Sequence, residues 1–188
     1  MKKILKGKAA IVTGGSLGIG TAVALTLARE GCDVAINYRR HDTEAREVVQ
    51  QIEKMGRRGL AVQADVSSYA DAEKIVQTVV REFGRLDIMV CNAGINWDGV
   101  IWKMTEEQWD KVIDVNLKGY FFYNRVAAGI FKDQRYGKIV NVSSISGIIG
   151  GVVSTYDDPP EAISGTLQAG TLADRGAMES VNFGDVTG

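Results

Sequence analysis

Proline is scarce in this sequence: its 188 residues contain only Pro159 and Pro160, which stand side by side. The 158 residues before them contain no proline, the residue that interrupts helices and central strands. Cysteine is equally scarce. We expect Cys32 and Cys91 to be reduced core thiols of a reducing compartment, because two isolated cysteines do not make a disulfide framework.

Long apolar runs and a strong net charge are also missing. No segment approaches membrane-spanning length, and lysines interrupt the first residues so that they make a poor signal peptide. A net charge of −1 disfavours a nucleic-acid or membrane-surface partner. The composition therefore predicts a cytoplasmic globular protein with no nucleic-acid and no membrane partner.

Apolar segments of strand length alternate with segments of helical periodicity as far as about residue 150. A capping box at Thr105 and Gln108 predicts a long helix from about 106 to 132. Near-continuous apolar strands between amphipathic helices predict an α/β fold, an open doubly wound parallel sheet with helices on both faces. Its ligand crevice is expected at the carboxyl ends of the strands. The predicted strands are 9–14, 33–38, 60–66, 86–94 and 138–144.

The segment TGGSLGIG at 13–20 joins the first strand to the first helix. Gly14, Gly18 and Gly20 would let the backbone turn tightly and approach a pyrophosphate, which the amino end of the helix stabilises. A glycine-rich turn alone is a weak signal. Its position between a strand and a helix of a βαβ unit makes dinucleotide binding the favoured interpretation.

The second strand ends in Asn37, Tyr38, Arg39 and Arg40, without an acidic residue. A ribose 2′-hydroxyl calls for an acid at this position, whereas a 2′-phosphate calls for an arginine, whose guanidinium matches phosphate geometry. We therefore predict NADP(H), with NAD(H) less favoured and Arg39 as the preferred contact. The alternative is that both arginines are merely solvated.

Three further motifs accompany the glycine turn: Asp65-Val66 after strand three, Asn92-Ala93-Gly94 after strand four, and NVSS at the end of strand five. Together they resemble the classical short-chain dehydrogenase/reductase family, and residues 95–119 are most similar to its 3-oxoacyl-carrier-protein and acetoacetyl-CoA reductases. The resemblance covers about residues 6–152. It implies a Rossmann-type fold, truncated or divergent at the C-terminus, a small-molecule or acyl-thioester substrate, and a homotetramer.

The resemblance also assigns roles to residues. Asp65 and Val66 would flank the adenine, Asn116 would belong to a proton relay, Ser144 would hydrogen-bond the substrate carbonyl, and Tyr156 would be the proton donor. No metal site is expected. The predicted catalytic residues are Ser144, Tyr156 and Asn116, and the predicted cofactor-binding residues are Gly14, Ser16, Leu17, Gly18, Ile19, Gly20, Asn37, Arg39, Arg40, Asp65, Val66, Asn92, Ala93 and Gly94.

The sequence departs from the family where its catalytic helix should begin. The family's chemistry needs a lysine four residues after the tyrosine, because that charge lowers the tyrosine pKa and the amine can hold the nicotinamide ribose. Here that position is Pro160, and no lysine follows Lys138.

We interpret 1–152 as a dinucleotide-binding domain. Residues 153–188 are then a divergent tail, a frame-shifted translation or a deletion product. Three hypotheses for function follow: a 3-oxoacyl thioester reductase, a catalytically impaired NADP(H)-binding module, or a partner-binding fragment.

Overall fold

The computed structural model describes residues 3–97, 99 and 101–144. The predicted tail, including Tyr156 and Pro160, lies outside the described residues. The strands are β1 (Ala9–Val12), β2 (Asp33–Tyr38), β3 (Gly59–Gln63), β4 (Ile88–Cys91) and β5 (Lys138–Asn141). The helices are α1 (Gly18–Arg29), α2 (Asp42–Lys54), α3 (Tyr69–Phe83), α4 (Glu106–Ile113) and α5 (Gly119–Gln134).

The strands form one parallel sheet in the order β3-β2-β1-β4-β5. The chain moves outward from β1 to β3 and then returns to the other side of β1, so the direction of winding reverses between β1 and β4. The connections that leave the carboxyl ends of these two neighbours therefore run to helices on opposite faces of the sheet, and open α/β sheets bind ligands in the crevice between such connections. The predicted doubly wound parallel sheet is confirmed.

Side chains of the central strands alternate between two buried layers. Ile11 and Met89 pack with residues of α3 and α5, whereas Val12 and Val34 pack with residues of α1 and α2. Strands covered on both faces must be apolar throughout, which explains why alternation of polar and apolar residues is missing from them. Among the described residues, no helix combines the length and apolar character that a membrane span requires.

The two cysteines are buried, and neither is part of a disulfide. Burial raises the pKa of each thiol to about 12, so both stay protonated at neutral pH. Desolvation is the largest cause for Cys32, where the neighbouring Asp33 carboxylate adds to it, and it acts alone for Cys91. Both thiols therefore behave as small apolar core groups.

The predicted capping box is present at the start of α4. The Thr105 hydroxyl accepts a hydrogen bond from the Gln108 backbone N–H at 3.2 Å, and the Gln108 side chain accepts one from the Thr105 N–H at 3.0 Å. The long helix predicted over 106–132 is present, and it contains one irregular turn that was not predicted. The structure has α4, a π-helical turn at Asp114–Lys118, and then α5, which continues to Gln134.

The π-helical turn makes close contacts with two neighbouring loops. It carries Asn116, whose side chain is hydrogen-bonded to the backbone of Ile95 on the loop after β4. Directly after it, a Cβ on Gly119 would stand 2.9 Å from the Val66 carbonyl oxygen, so helix and loop touch backbone to backbone. Helical periodicity reports which face is buried, and it does not reveal one extra residue inserted into a turn.

Several predicted strands run past their observed ends. The prediction of 86–94 is wrong at both ends of β4, and the predictions of 9–14, 60–66 and 138–144 are too long at the carboxyl side. The first residue beyond three of these carboxyl ends still donates a hydrogen bond to the neighbouring strand: Thr13 to Val90, Ala64 to Tyr38 and Val142 to Cys91. The residues that follow form the loops at this edge of the sheet. Those loops make up the crevice.

Candidate functional site

Gly14, Gly18 and Gly20, the three glycines predicted to bind the cofactor, meet different requirements. Gly14 and Gly18 have left-handed backbones, with φ of 62° and 56°. A Cβ on Gly18 would meet no atom within 4 Å, so this backbone faces open space. A Cβ on Gly20 would lie 2.2 Å from the Gly14 carbonyl oxygen, so Gly20 permits the close contact between helix and turn.

The amino end of α1 offers its backbone N–H groups to the same open space. Leu17 precedes the helix and forms no side-chain cap, and the first turn contains no acidic residue. The first N–H groups of a helix have no partner within the helix, and the helix dipole favours an anion beside them. Apolar side chains flank this end: Leu17 and Ile19 are exposed, whereas Ser16 is buried.

The Asn37 side chain holds the glycine turn in place from inside the protein. Its side-chain oxygen accepts a hydrogen bond from the Gly14 N–H at 2.7 Å, and its amide nitrogen donates to the Ala64 carbonyl at 2.9 Å. The side chain is buried, and the Asn37 carbonyl accepts a further bond from the Gly15 N–H at 3.1 Å. Asn37 therefore ties together the loops that follow β1, β2 and β3, beneath the surface a ligand would contact.

Thr13 and Asn92 join the loop after β1 to the loop after β4. The Thr13 hydroxyl accepts hydrogen bonds from the N–H groups of Asn92 and Ala93 at 2.8 and 3.0 Å. In return, the Asn92 amide donates to the carbonyl of Thr13 at 3.0 Å and to that of Gly14 at 3.4 Å. The two sides of the crevice are thus held at a defined separation by side chains.

Asn116 holds the next part of the same loop. Its amide nitrogen donates to the Ile95 carbonyl at 2.7 Å, and its oxygen accepts from the Ile95 N–H at 2.9 Å. A Cβ on Gly94 would lie 3.5 Å from that oxygen, in ordinary contact. Asn116 therefore positions the segment that follows Asn92, Ala93 and Gly94.

Basic and acidic side chains meet where β2 and β3 end. Arg39 and Arg40 are exposed, and the Arg39 Nη1 lies 3.6 Å from the Asp65 Oδ2. Burial alone would raise the pKa of Asp65, but hydrogen bonds from Ser67 and the charge of Arg39 outweigh it and hold the pKa below its ordinary value. The carboxylate is therefore ionised at neutral pH and carries a full negative charge beside Arg39.

The first carboxylate after β2 is Asp42, at the start of α2, and it is occupied by other groups. Its side chain accepts a hydrogen bond from the Tyr38 hydroxyl at 2.5 Å and another from the Arg46 Nε at 2.8 Å. The acid closest to Arg39 and Arg40 along the sequence is therefore engaged by other groups, and both arginines are exposed.

A series of side-chain hydrogen bonds connects the end of β5 to α5. The Cys91 thiol donates to the Asn124 Oδ1 at 3.2 Å, and the Asn124 amide donates to the Asn141 Oδ1 at 3.1 Å. One residue later, the Val142 carbonyl accepts a hydrogen bond from the Tyr120 hydroxyl at 3.0 Å. Ser144 follows this anchored strand end and is exposed.

The sequence model described as short chain dehydrogenase matches residues 8–156. The chain belongs to this family. It is 43% identical over 143 residues to the 3-oxoacyl-[acyl-carrier-protein] reductase FabG of Staphylococcus aureus strain Mu50, covering 76% of this chain and 58% of that relative. It is 36% identical over 168 residues to the 3-oxoacyl-[acyl-carrier-protein] reductase of a Synechocystis strain, covering 89% of this chain and 65% of that protein.

A solved structure agrees with this short chain dehydrogenase assignment. The crystal structure of a short chain dehydrogenase from Burkholderia cenocepacia in complex with NADP superposes with a TM-score of 0.73 at 38% identity, covering 78% of this chain and 59% of that one. The chain thus spans about three fifths of the length of these relatives.

The structure brings most of the predicted short chain dehydrogenase residues to one edge of the sheet, but some of them are exposed and others are buried. Gly18, Arg39 and Arg40 are exposed there, whereas Asn37 lies buried beneath the turn. Thr13 was not among the predicted residues. The sequence could have indicated its role, because a buried hydroxyl at the end of an apolar strand needs a hydrogen-bond partner.

Proposed function

We propose that this chain binds NADP(H) at the carboxyl edge of its sheet, as part of a reductase that converts the ketone of a 3-oxoacyl thioester to a secondary alcohol. The observation that carries the proposal is the open left-handed backbone of Gly18 at the uncapped amino end of α1, beside the crevice. The 3-oxoacyl-[acyl-carrier-protein] reductase names of the relatives and the NADP complex from Burkholderia cenocepacia support the substrate class and the cofactor.

The residues at the turn fit a pyrophosphate. A side chain on Gly18 would occupy the open space in front of the helix end, and glycine leaves that space to a ligand. The N–H groups of the first turn of α1 would donate to phosphate oxygens. Since Asn37 and Asn92 already fix the Gly14 backbone, the turn needs no reorganisation to accept the phosphates.

The residues after β2 fit a phosphate on the adenosine ribose. Arg39 and Arg40 offer guanidinium groups to it, and Asp42 is already engaged by Tyr38 and Arg46. An arginine in this position favours a 2′-phosphate, whereas a free carboxylate would favour the 2′-hydroxyl of NAD(H).

The chemistry proposed for the site divides between cofactor and chain. NADPH supplies a hydride to the ketone carbon when it is bound. The Ser144 hydroxyl would donate a hydrogen bond to the ketone oxygen, and the Tyr156 hydroxyl would deliver the proton that this oxygen gains. The anchored end of β5 and the bonds between Asn116 and Ile95 would keep the loops on either side of the substrate in place.

A second candidate is an NADP(H)-binding module with impaired catalysis. It is favoured by Pro160, which stands four residues after Tyr156 where the family's chemistry needs a lysine. Resequencing the coding DNA across codons 150–160 would separate the two: a reading frame that restores a lysine there favours the reductase, and an unchanged frame favours the module.

The experiment that tests cofactor binding is an equilibrium titration of the full chain with NADPH, followed by the fluorescence of the nicotinamide. Saturable binding with one site per chain supports the proposal. An absence of binding would overturn both candidates and leave the third hypothesis, a partner-binding fragment, which predicts a concentration-dependent assembly without cofactor affinity.

A further inference from the structure

We propose that Asp65 limits the preference of this chain for a 2′-phosphorylated cofactor, because it holds the Arg39 guanidinium that the phosphate must recruit. The inference rests on the proposed binding of NADP(H). It makes Asp65 a selectivity-determining residue through its ion pair, in addition to any contact it makes with the adenine.

The ion pair joins two neighbouring loops. The Arg39 Nη1 lies 3.6 Å from the Asp65 Oδ2, and the two side chains are 41% and 38% exposed. Gln63 holds the backbone of Arg39 by donating to its carbonyl at 3.1 Å. Because β2 and β3 are adjacent in the sheet, their carboxyl ends place both charges at the same corner of the crevice.

Asp65 is the fixed partner of the pair. Its Oδ1 accepts hydrogen bonds from the N–H and the hydroxyl of Ser67, at 3.0 and 2.6 Å. Its backbone N–H donates to the Asp71 Oδ2 at 2.8 Å. The carboxylate therefore keeps its place when the longer and more flexible Arg39 side chain turns toward another anion.

The pair affects the two cofactors differently. A 2′-phosphate that recruits the guanidinium competes with Asp65 for it, whereas a cofactor with a free 2′-hydroxyl leaves the pair intact. Exposed ion pairs are weak, so the phosphate prevails but with reduced affinity. Any contact between Asp65 and the adenine is common to NADPH and NADH, and it cancels in the ratio of their dissociation constants.

Other nearby carboxylates are paired elsewhere among the described residues. Asp42 is bonded to Tyr38 and Arg46, and Glu44 lies 3.7 Å from His41. Asp42 is consequently a matched control: the same charge, on the segment that follows β2, without the contact to Arg39.

The test is the ratio of the NADH to the NADPH dissociation constant, measured by fluorescence at low salt for the full chain and its variants. Asp65→Asn should raise the ratio by about twofold to fivefold, which is the range expected for an exposed ion pair. The rise should shrink in high salt because the pair is screened. Asp42→Asn should leave the ratio unchanged, and Asp65→Asn should have no effect when it is combined with Arg39→Ala.

A ratio that stays the same or falls in Asp65→Asn overturns the inference while the cofactor site stands. An equal rise in Asp42→Asn, or a rise that persists without Arg39, also overturns it, because the effect is then general electrostatics. If the wild-type chain binds neither cofactor, the proposed function fails and the inference fails with it.

Discussion

The Asn37 side-chain oxygen accepts a hydrogen bond from the Gly14 N–H at 2.7 Å, so a buried amide on β2 determines where the glycine turn of β1 lies. The same amide donates to Ala64 on the loop after β3. Asn37, which the sequence predicts to contact the cofactor, therefore supports the glycine turn from inside the protein.

Asn37→Ala should weaken NADPH and NADH binding by the same factor. The substitution leaves the Gly14 N–H and the Ala64 carbonyl without this partner, at a cost of about 1–3 kcal/mol for each buried group that stays unsatisfied. Chemical denaturation measures the stability loss, and fluorescence titration measures both affinities. A loss confined to NADPH would instead show that Asn37 reads the 2′-phosphate.

Arg39→Ala combined with Arg40→Ala should remove the preference for NADPH. Charged hydrogen bonds contribute about 1.5–3 kcal/mol, so the wild-type preference over NADH is expected to be on the order of tenfold or more. Titration with both cofactors measures it. Equal wild-type affinities, or an NADPH affinity that the double variant retains, would contradict the prediction.

Gly18→Val should abolish NADPH binding and leave the fold largely intact. The added side chain fills the open space before α1, and its left-handed backbone costs about 1–3 kcal/mol of stability. Gly84→Val is the matched control, because Gly84 has a φ of 78° and equally open surroundings at the opposite edge of the sheet. Titration of both variants should show binding lost in the first alone. Normal binding by Gly18→Val would place the phosphate site elsewhere.

Asp87→Asn should destabilise the protein at neutral pH without affecting the cofactor site. Its buried carboxylate accepts hydrogen bonds from Lys8 at 3.1 Å, from the Ala9 N–H at 2.9 Å and twice from Arg85 at 2.6 Å. The expected loss is about 1.5–3 kcal/mol, the usual value for a hydrogen bond to a charged group. Asp133→Asn, an exposed position on α5, is the control.

The stability difference between the wild type and Asp87→Asn should depend on pH. Burial raises the pKa of Asp87, but the bonds from Arg85, Ala9 and Lys8 outweigh it and hold the pKa below its ordinary value. A carboxyl with a depressed folded-state pKa contributes stability above its unfolded pKa of about 3.9, and that stability is lost as the pH falls through the lower folded value. Denaturation curves of wild type and Asp87→Asn should therefore differ at pH 7 and converge below about pH 4. A constant difference across this range would contradict the assignment.

The chain as given should bind NADPH but reduce acetoacetyl-CoA barely above background. Without a lysine four residues after Tyr156, the chain lacks the charge that the family's chemistry uses to assist its proton donor, and general acid–base help worth a factor of about 10²–10⁴ is lost. Pro160→Lys alone should not restore turnover, because Pro159 still disfavours a helix. Replacing residues 153–160 by a helical YxxxK segment should restore it. Robust turnover by the unmodified chain, abolished by Tyr156→Phe, would show this interpretation to be wrong.

The parallel sheet and the glycine turn were predictable from the sequence because burial on two faces and glycine spacing leave direct marks in it. The ends of β4 and the π-helical turn around Asn116 were not, because hydrophobic periodicity does not report where strand pairing stops or where one extra residue enters a helical turn. An asparagine near the carboxyl end of a strand can face a ligand or a neighbouring loop. The sequence pattern at Asn37 is the same in both cases, and only the contacts distinguish them.

The side-chain hydrogen bonds around the glycine turn also limit whether the turn can be transplanted into another protein. Gly14 receives its position from Asn37 on β2 and from Asn92 directly after β4, and these two strands flank β1 in the sheet but lie apart along the chain. Transplanting TGGSLGIG into another α/β protein would carry over the glycines and leave both amides behind. Engineering a phosphate site in another protein would therefore require three adjacent strand ends. The contiguous peptide alone lacks the two side chains that hold its backbone in place.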